Sequence, residues 1–438
     1  MAYDKVVNKM DTKGGLWEWT ASLGVFLFFC LMLSVFSGYS YGAAVLLLAG
    51  LAFCAQRPAL GLTREDRGLA WLLLAITLIA LGIFLLHGDK LNTIDQSTRY
   101  VMAIPIMWLC MRRPPRLSWL WAGVAAGAIA SVGVTLWQRH WEGISRATGF
   151  VTSAIPYGDI GLMMAILCAA ALFWCTDGTR KRTRLWFCVL GLGVASGLFS
   201  CVASETRGAW IAVPPVAVIF CVAFGRRRDL WRLLGAGVAI VAVVAAVFVA
   251  IPDTGLKART FEAVREVQMY LQKRDSGTSV GARLEMWRMA IENIPKKPLL
   301  GWNYEEYEAE VRREAIKNKA DPFVMTLANT HNNYLEVWLH QGLFGLLALL
   351  GLYAYALRGF CRRLRHPGRT VRVLAVCGAS VMISFFLFGL TQVILGRNNG
   401  VLFFLVSLAV FWGCMRHEED RLQGRPRPPG QTLTPCPD

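Results

Sequence analysis

Four residues of this sequence combine chemically useful side chains with informative settings: His331, Arg207, Arg283 and Arg146. His331 stands in Thr330-His331-Asn332-Asn333-Tyr334-Leu335, at the mouth of an apolar run. An imidazole with an ordinary pKa of about 6.5 can be neutral there and take a proton from a hydroxyl. It can equally act as a capping or interfacial histidine. Arg207 stands in Ser204-Glu205-Thr206-Arg207-Gly208-Ala209-Trp210, a short polar turn between two apolar runs. Its guanidinium is always charged and offers a planar fork that fits phosphate oxygens. Gly208 would let a phosphate come close to the backbone. The same arginine could instead snorkel to lipid headgroups. Arg283 opens the amphipathic run Arg283-Leu284-Glu285-Met286-Trp287, and Arg146 lies in Gly143-Ile144-Ser145-Arg146-Ala147-Thr148-Gly149. Arginines converging from such segments, with Arg99 and Arg139 on neighbouring ones, would suit an anionic substrate such as a pyrophosphate. His340 follows Glu336 by four residues and reads as its structural partner on one helix face. It lies on the face opposite His331 if the helix is straight.

The elements that must position these residues are written in the composition. Of 438 residues, 55% are hydrophobic and 17% charged, against roughly a quarter charged in soluble domains. Apolar runs long enough to cross a hydrocarbon core of about 30 Å fall at 17–37, 40–56, 69–86, 98–111, 117–137, 158–175, 186–203, 210–224, 233–251, 334–357, 373–394 and 399–414. Pro105 lies in the fourth, Pro214 and Pro215 in the eighth. The net charge of +17 resolves by placement. Of 46 Lys and Arg residues, 27 fall at the termini and on alternate connections, 6 on the short connections between those, and 13 in the hydrophilic segment 252–333. Positive charge marks the cytoplasmic side, so both termini are expected there, and the basic excess is a topology signal with no nucleic acid implied. The first run reads as an uncleaved helix. The expected fold is an all-α integral membrane protein with about 12 transmembrane helices and one large external helical domain. Its parts are 1–251 (an N-terminal bundle of about nine spans), 252–333 (the external domain), 334–414 (three further spans) and 415–438 (a tail). In the external domain, Phe261, Val264, Val267 and Leu271, then Leu284, Trp287, Ile291 and Ile294, recur at helical spacing. Glu308 and Arg312 can pair on a third helix.

The twelve cysteines form no CxxC and no zinc spacing, and read as small apolar residues. The sequence holds no Walker A loop, no HExxH and no pair of acids placed for glycoside hydrolysis. No metal and no cofactor is expected.

The Ser204–Trp210 turn, Arg283 with Trp287 and then Pro298 and Gly301-Trp302, and His331-Asn332-Asn333-Tyr334-Leu335 running into Gln341-Gly342-Leu343-Phe344-Gly345 resemble, in order, the motifs of the O-antigen ligase and polymerase superfamily. That resemblance implies a glycosyltransferase of the bacterial inner membrane with a periplasmic site. Its donor would be a glycan on undecaprenyl pyrophosphate, its acceptor a sugar hydroxyl of lipid A–core, and its product lipopolysaccharide. The family's essential His falls on His331 and its arginines on Arg207 and Arg283, with Arg146 at a further position. The arginines would bind the pyrophosphate, and His331 would deprotonate the acceptor, giving inversion without a metal. O-antigen polymerase and protein O-oligosaccharyltransferase are the alternatives within the class. A lipid-linked glycan transporter is the alternative outside it, though spans almost free of charge and without repeated halves disfavour transport.

Overall fold

The structure is a computed structural model that describes residues 2–150, 153–175, 180–225, 265–272, 276–317, 321, 324 and 329–424. Every regular element among these residues is helical. The helices are α1 (Ala2–Leu31), α2 (Gly38–Ala55), α3 (Arg64–His87), α4 (Asp95–Arg112), α5 (Leu117–His140), α6 (Ala154–Leu172), α7 (Arg180–Ala203), α8 (Val213–Phe224), α9 (Ser279–Asn293), α10 (Tyr304–Lys317), α11 (Asn333–Cys361), α12 (Arg369–Phe388) and α13 (Asn398–Leu422). Nine helical segments among the described residues are long and apolar enough to cross a membrane. The chain is an all-α, multi-pass membrane protein.

Two expected spans are weaker than read. The apolar part of α1 is the shorter stretch Gly15–Leu31, and α4 carries Asp95, Arg99 and Arg112 within its 18 residues. The expected span 233–251 lies outside the described residues. Pro214 and Pro215 sit in the first turn of α8, where a missing N–H costs no helical bond; a 3₁₀ turn, Arg207–Ala212, precedes them. The run at 373–394 also ends early. Its helix stops at Phe388, and residues 389–397 form an irregular connection containing only a short 3₁₀ turn.

Burial sorts the bundle into centre and rim. In α6 and α12, 78% of the apolar window is buried, and in α13, 89%, against 33–50% in the other candidate spans. The inner helices pack through aromatic rings, with Phe385 stacked on Phe403 at 5.8 Å between centroids and Phe29 edge-on to Phe403. The rim helices turn apolar side chains such as Leu48, Trp71 and Leu85 outward, as lipid-facing helices do.

Between α8 and α11, α9 and α10 pack on a small core of their own that includes Ala282, Met286, Met289, Tyr307, Val311 and Leu339. The buried face of α9 differs from the expected one. Ile291 is 58% exposed, and Glu285 takes a core place because Tyr270 donates to it and Arg288 pairs with it at 2.6 Å. A neutralised, hydrogen-bonded carboxylate can be buried where an apolar periodicity would not put it. Leu271 is likewise exposed while its neighbour Tyr270 is buried; Phe261 and Val264 lie outside the described residues. The expected Glu308–Arg312 pair forms at 2.5 Å on an exposed face.

Candidate functional site

His331 precedes α11, whose first turn is capped by Asn332: its side chain accepts from the N–H groups of Tyr334 and Leu335. His331 adopts φ +52°, the left-handed region that few residues other than glycine enter. Its own N–H donates to Asn329 Oδ1 at 3.0 Å. Because His331 stands before the helix, the opposite-faces relation to His340 does not apply. The half-buried ring places Nδ1 2.8 Å from Gln392 Oε1. The amide oxygen accepts from Nδ1–H, which leaves the Nε2 lone pair as the basic position. Burial and the Arg283 charge push the His331 pKa down, Gln392 opposes, and Arg397 adds to the lowering. The imidazole is therefore held neutral near pH 7.

Gln392 belongs to the 389–397 connection, which is stitched to the start of α11. Asn333 N–H donates to Gly389 O at 2.7 Å, Asn332 Nδ2 to Leu390 O at 3.3 Å, and Tyr334 Oη to Phe386 O at 2.6 Å. From the other side, Trp287 Nε1 donates to Thr330 O at 2.7 Å. Arg283 lies one helical turn before Trp287 on α9, so this bond fixes the arginine's helix against the His331 loop. Burial and the neighbouring Arg146 charge pull the Arg283 pKa below its usual value, with Glu266 opposing. A guanidinium remains protonated under such a shift. Two arginines that repel each other beside a sheltered imidazole form a place where an anion is welcome.

Arg146 is fixed through Nε, which donates to Ser204 O at 2.7 Å, and Ala147 N–H donates to Ala203 O. The Ser204–Arg207 turn is held by its own hydroxyls: Ser204 Oγ and Thr206 Oγ1 are 2.8 Å apart, and Thr206 Oγ1 donates to Ala154 O. Arg207 is half-buried at the start of the 3₁₀ turn. Gly208 also makes room for a neighbouring segment. A Cβ there would meet Thr391 Oγ1 at 2.5 Å, so the glycine lets the 389–397 connection close in. That contact joins a neighbour of Arg207 to a neighbour of Gln392. The structure thus brings the Arg207 turn, Arg146, Arg283 and His331 to one end of the bundle. Arg99 pairs with Asp95 at 2.5 Å, and Arg139 donates to Ser145 O. His340 lies 3.9 Å from Glu336, beyond hydrogen-bond reach, and is held by stacking on Tyr304 at 3.7 Å, with Nδ1 3.1 Å from Trp302 O. Among the described residues no three His, Cys, Asp or Glu side chains are grouped as metal ligands.

Residues 192–350 match the family model described as O-antigen ligase. This segment holds Arg207, Arg283 and His331 in one span. The chain carries an O-antigen ligase-type domain. An O-antigen ligase of Salmonella typhimurium is 27% identical over 184 residues, covering 41% of this chain and 41% of that protein. An uncharacterised protein of Haemophilus influenzae is 25% identical over 395 residues, covering 90% of this chain and 97% of the relative. Arg146 and the residues that the sequence reading passed over, Gln392 and Thr391, lie outside the ligase-type segment. Gly389, Thr391 and Gln392 were the signal available: two polar side chains and a glycine at the end of an otherwise apolar run.

Proposed function

We propose that the protein is an O-antigen ligase of the bacterial inner membrane, moving a glycan from undecaprenyl pyrophosphate to a sugar hydroxyl of lipid A–core. The observation that carries this reading is the His331–Gln392 contact at 2.8 Å beside Arg283. It supplies a neutral base with its free lone pair fixed on Nε2, next to cationic charge. Arg207, Arg283 and Arg146 hold the pyrophosphate and offset the charge that grows on it as the anomeric bond breaks. The acceptor oxygen forms its bond to the anomeric carbon and its proton passes to His331 Nε2. The C1–O bond to phosphate breaks, and undecaprenyl pyrophosphate leaves with the electron pair. One base and no nucleophilic carboxylate predict a single displacement with inversion. The positive charge comes from the arginines, so a chelator leaves the rate unchanged. Residues 252–333 would form the periplasmic domain, between 1–251 and 334–414, with the termini and the 415–438 tail in the cytoplasm.

The test is purified protein with undecaprenyl-pyrophosphate glycan and rough lipopolysaccharide, without ATP and with chelator. Transfer shifts the lipopolysaccharide band, and His331→Ala lowers the rate by about 10²–10⁴, the usual worth of a general base. Arg207→Ala and Arg283→Ala lose transfer as well. Folded His331→Ala protein that keeps full activity would sink the mechanism. Extension of the donor glycan in place of the lipopolysaccharide shift would make the protein a polymerase.

A further inference from the structure

Beside the His331 loop lies a cavity of about 360 Å³, in the range of small-molecule sites, about 300–1,000 Å³. One wall is a single face of α11, with Asn333, Glu336 and Gln341 at helical spacing, and the facing wall includes Gln96 and Ser97 of α4. Thr93, Tyr100, Tyr304, Asn329 and His340 add to its polar lining, and Asn329 is the residue that accepts from the His331 N–H. No Lys or Arg is among the described residues that line it, and its one carboxylate, Glu336, would repel a phosphate. The arginine cluster and this cavity therefore suit different chemistry, and the cavity reaches the His331 loop through Asn329 and Asn333, two residues to either side of the histidine.

Asn333 carries the decisive atom. The residue is 1% exposed, and its Nδ2 finds no hydrogen-bond partner in the structure. Its amide orientation is fixed because Oδ1 accepts from Leu395 N–H at 3.3 Å. Asn333 lines the cavity, and a small shift of its side chain would let this unmatched N–H donor meet an oxygen acceptor there. Amides, a hydroxyl, a carboxylate and an aromatic ring around one enclosed space are complementary to a neutral ring bearing several hydroxyls, each of which both donates and accepts.

We propose that this cavity binds the terminal sugar of the acceptor, Asn333 Nδ2 donating to one of its oxygens, and presents a neighbouring hydroxyl to His331. The assignment rests on His331 being the base. A donor sugar is one bond away from its pyrophosphate and belongs with the arginines; the acceptor sugar carries no such charge at the reacting hydroxyl. The α4 wall lies outside the 192–350 segment, so acceptor choice is written partly in the N-terminal helices.

The full-length protein is tested in two arms, with Gln96→Ala, Gln96→Trp to fill the space, and Asn333→Asp to exchange the donor for an acceptor. In the kinetic arm, Gln96→Ala and Asn333→Asp raise the KM for rough lipopolysaccharide by about tenfold, near the scale of one lost hydrogen bond. Their KM for the undecaprenyl-pyrophosphate glycan stays at the wild-type value. In the binding arm, delipidated core oligosaccharide gives saturation-transfer NMR signals with wild type and none with Gln96→Trp. Equal signals from both proteins, no signal from wild type, or a rise in donor KM would each overturn the proposal. Failure of wild type to transfer, with the binding pattern intact, removes the ligase reading and the acceptor role with it, and leaves the cavity as a sugar-binding site. Gln96→Ala, the mildest change, keeps the test meaningful if Gln96→Trp fails to fold.

Discussion

His331 owes its role to neighbours that are remote in sequence. Gln392 stands 61 residues away and decides which ring nitrogen carries the proton. Burial first, and then the charges of Arg283 and Arg397, keep the ring from gaining a second proton. The sign of the pH dependence follows. With its pKa lowered below the ordinary value, His331 is the active neutral base over the physiological range, and kcat/KM falls only on acidification past about 6.5. Gln392→Glu would set a carboxylate against the ring and stabilise the imidazolium over the nearby arginines. The acid limb of the kcat/KM profile then moves to higher pH and activity at pH 7 drops. An unmoved acid limb in a folded Gln392→Glu protein would show that this contact does not govern the base.

At the level of elements, the kink in α11 deals with a helix that must serve two partners. Gly342 adopts φ +62°, ψ −168° inside the helix. Leu343 N–H then gives up its in-helix acceptor and donates to Pro298 O at 2.9 Å, while Leu339 O accepts from Trp302 N–H at 2.7 Å. Two backbone bonds across to the 298–302 segment offset the interruption in the helical ladder. A Cβ at Gly342 would lie 2.0 Å from Leu299 O. Gly342→Ala therefore loses about 1–3 kcal/mol to backbone strain alone, with the clash in addition, and lowers the unfolding midpoint in detergent. A midpoint equal to wild type would contradict the close approach. The motif pieces Pro298, Gly301-Trp302 and Gln341-Gly342 read as separate signals along the chain; they are two sides of one junction.

Across the whole molecule, the site and the strongest ionic cluster occupy opposite ends of the bundle. At the far end from His331, Asp66 is fully buried; it accepts from Trp412 Nε1 at 2.9 Å and Arg416 Nε at 3.0 Å, and caps α3 through Thr63. Arg363 bridges Glu65 and Glu419 at 2.7 Å each, and Arg416 also pairs with Glu419. The cluster ties α3, α11 and α13 together beneath the site. Asp66→Ala leaves Arg416 short of a buried counter-charge and is expected to cost about 3–5 kcal/mol, read as a lower unfolding midpoint; an unchanged midpoint would mean water replaces the carboxylate. The cluster lies at the end that carries the basic loops. Alkaline phosphatase fused after Lys296 should be active and after Arg365 inactive, and the reverse pattern would invert the proposed orientation.

What the sequence determined by itself was whatever depends on local repetition. Apolar runs and the placement of arginines identified an all-α membrane protein, because desolvating a backbone in lipid leaves helices as the simplest solution. His331, Arg207 and Arg283 stood out because charged and titratable side chains are rare beside such runs. The tertiary structure alone decided which of them meet. Gln392 was hidden inside a run read as a span to residue 394, and only the packing of α12 shows the helix ending at Phe388. The buried face of α9 was misjudged because Glu285 is neutralised by Arg288 and Tyr270, a pairing with no periodic signature. The 360 Å³ cavity draws its walls from residues 76 to 396, and a site assembled from such distant segments leaves no spacing for a sequence to reveal.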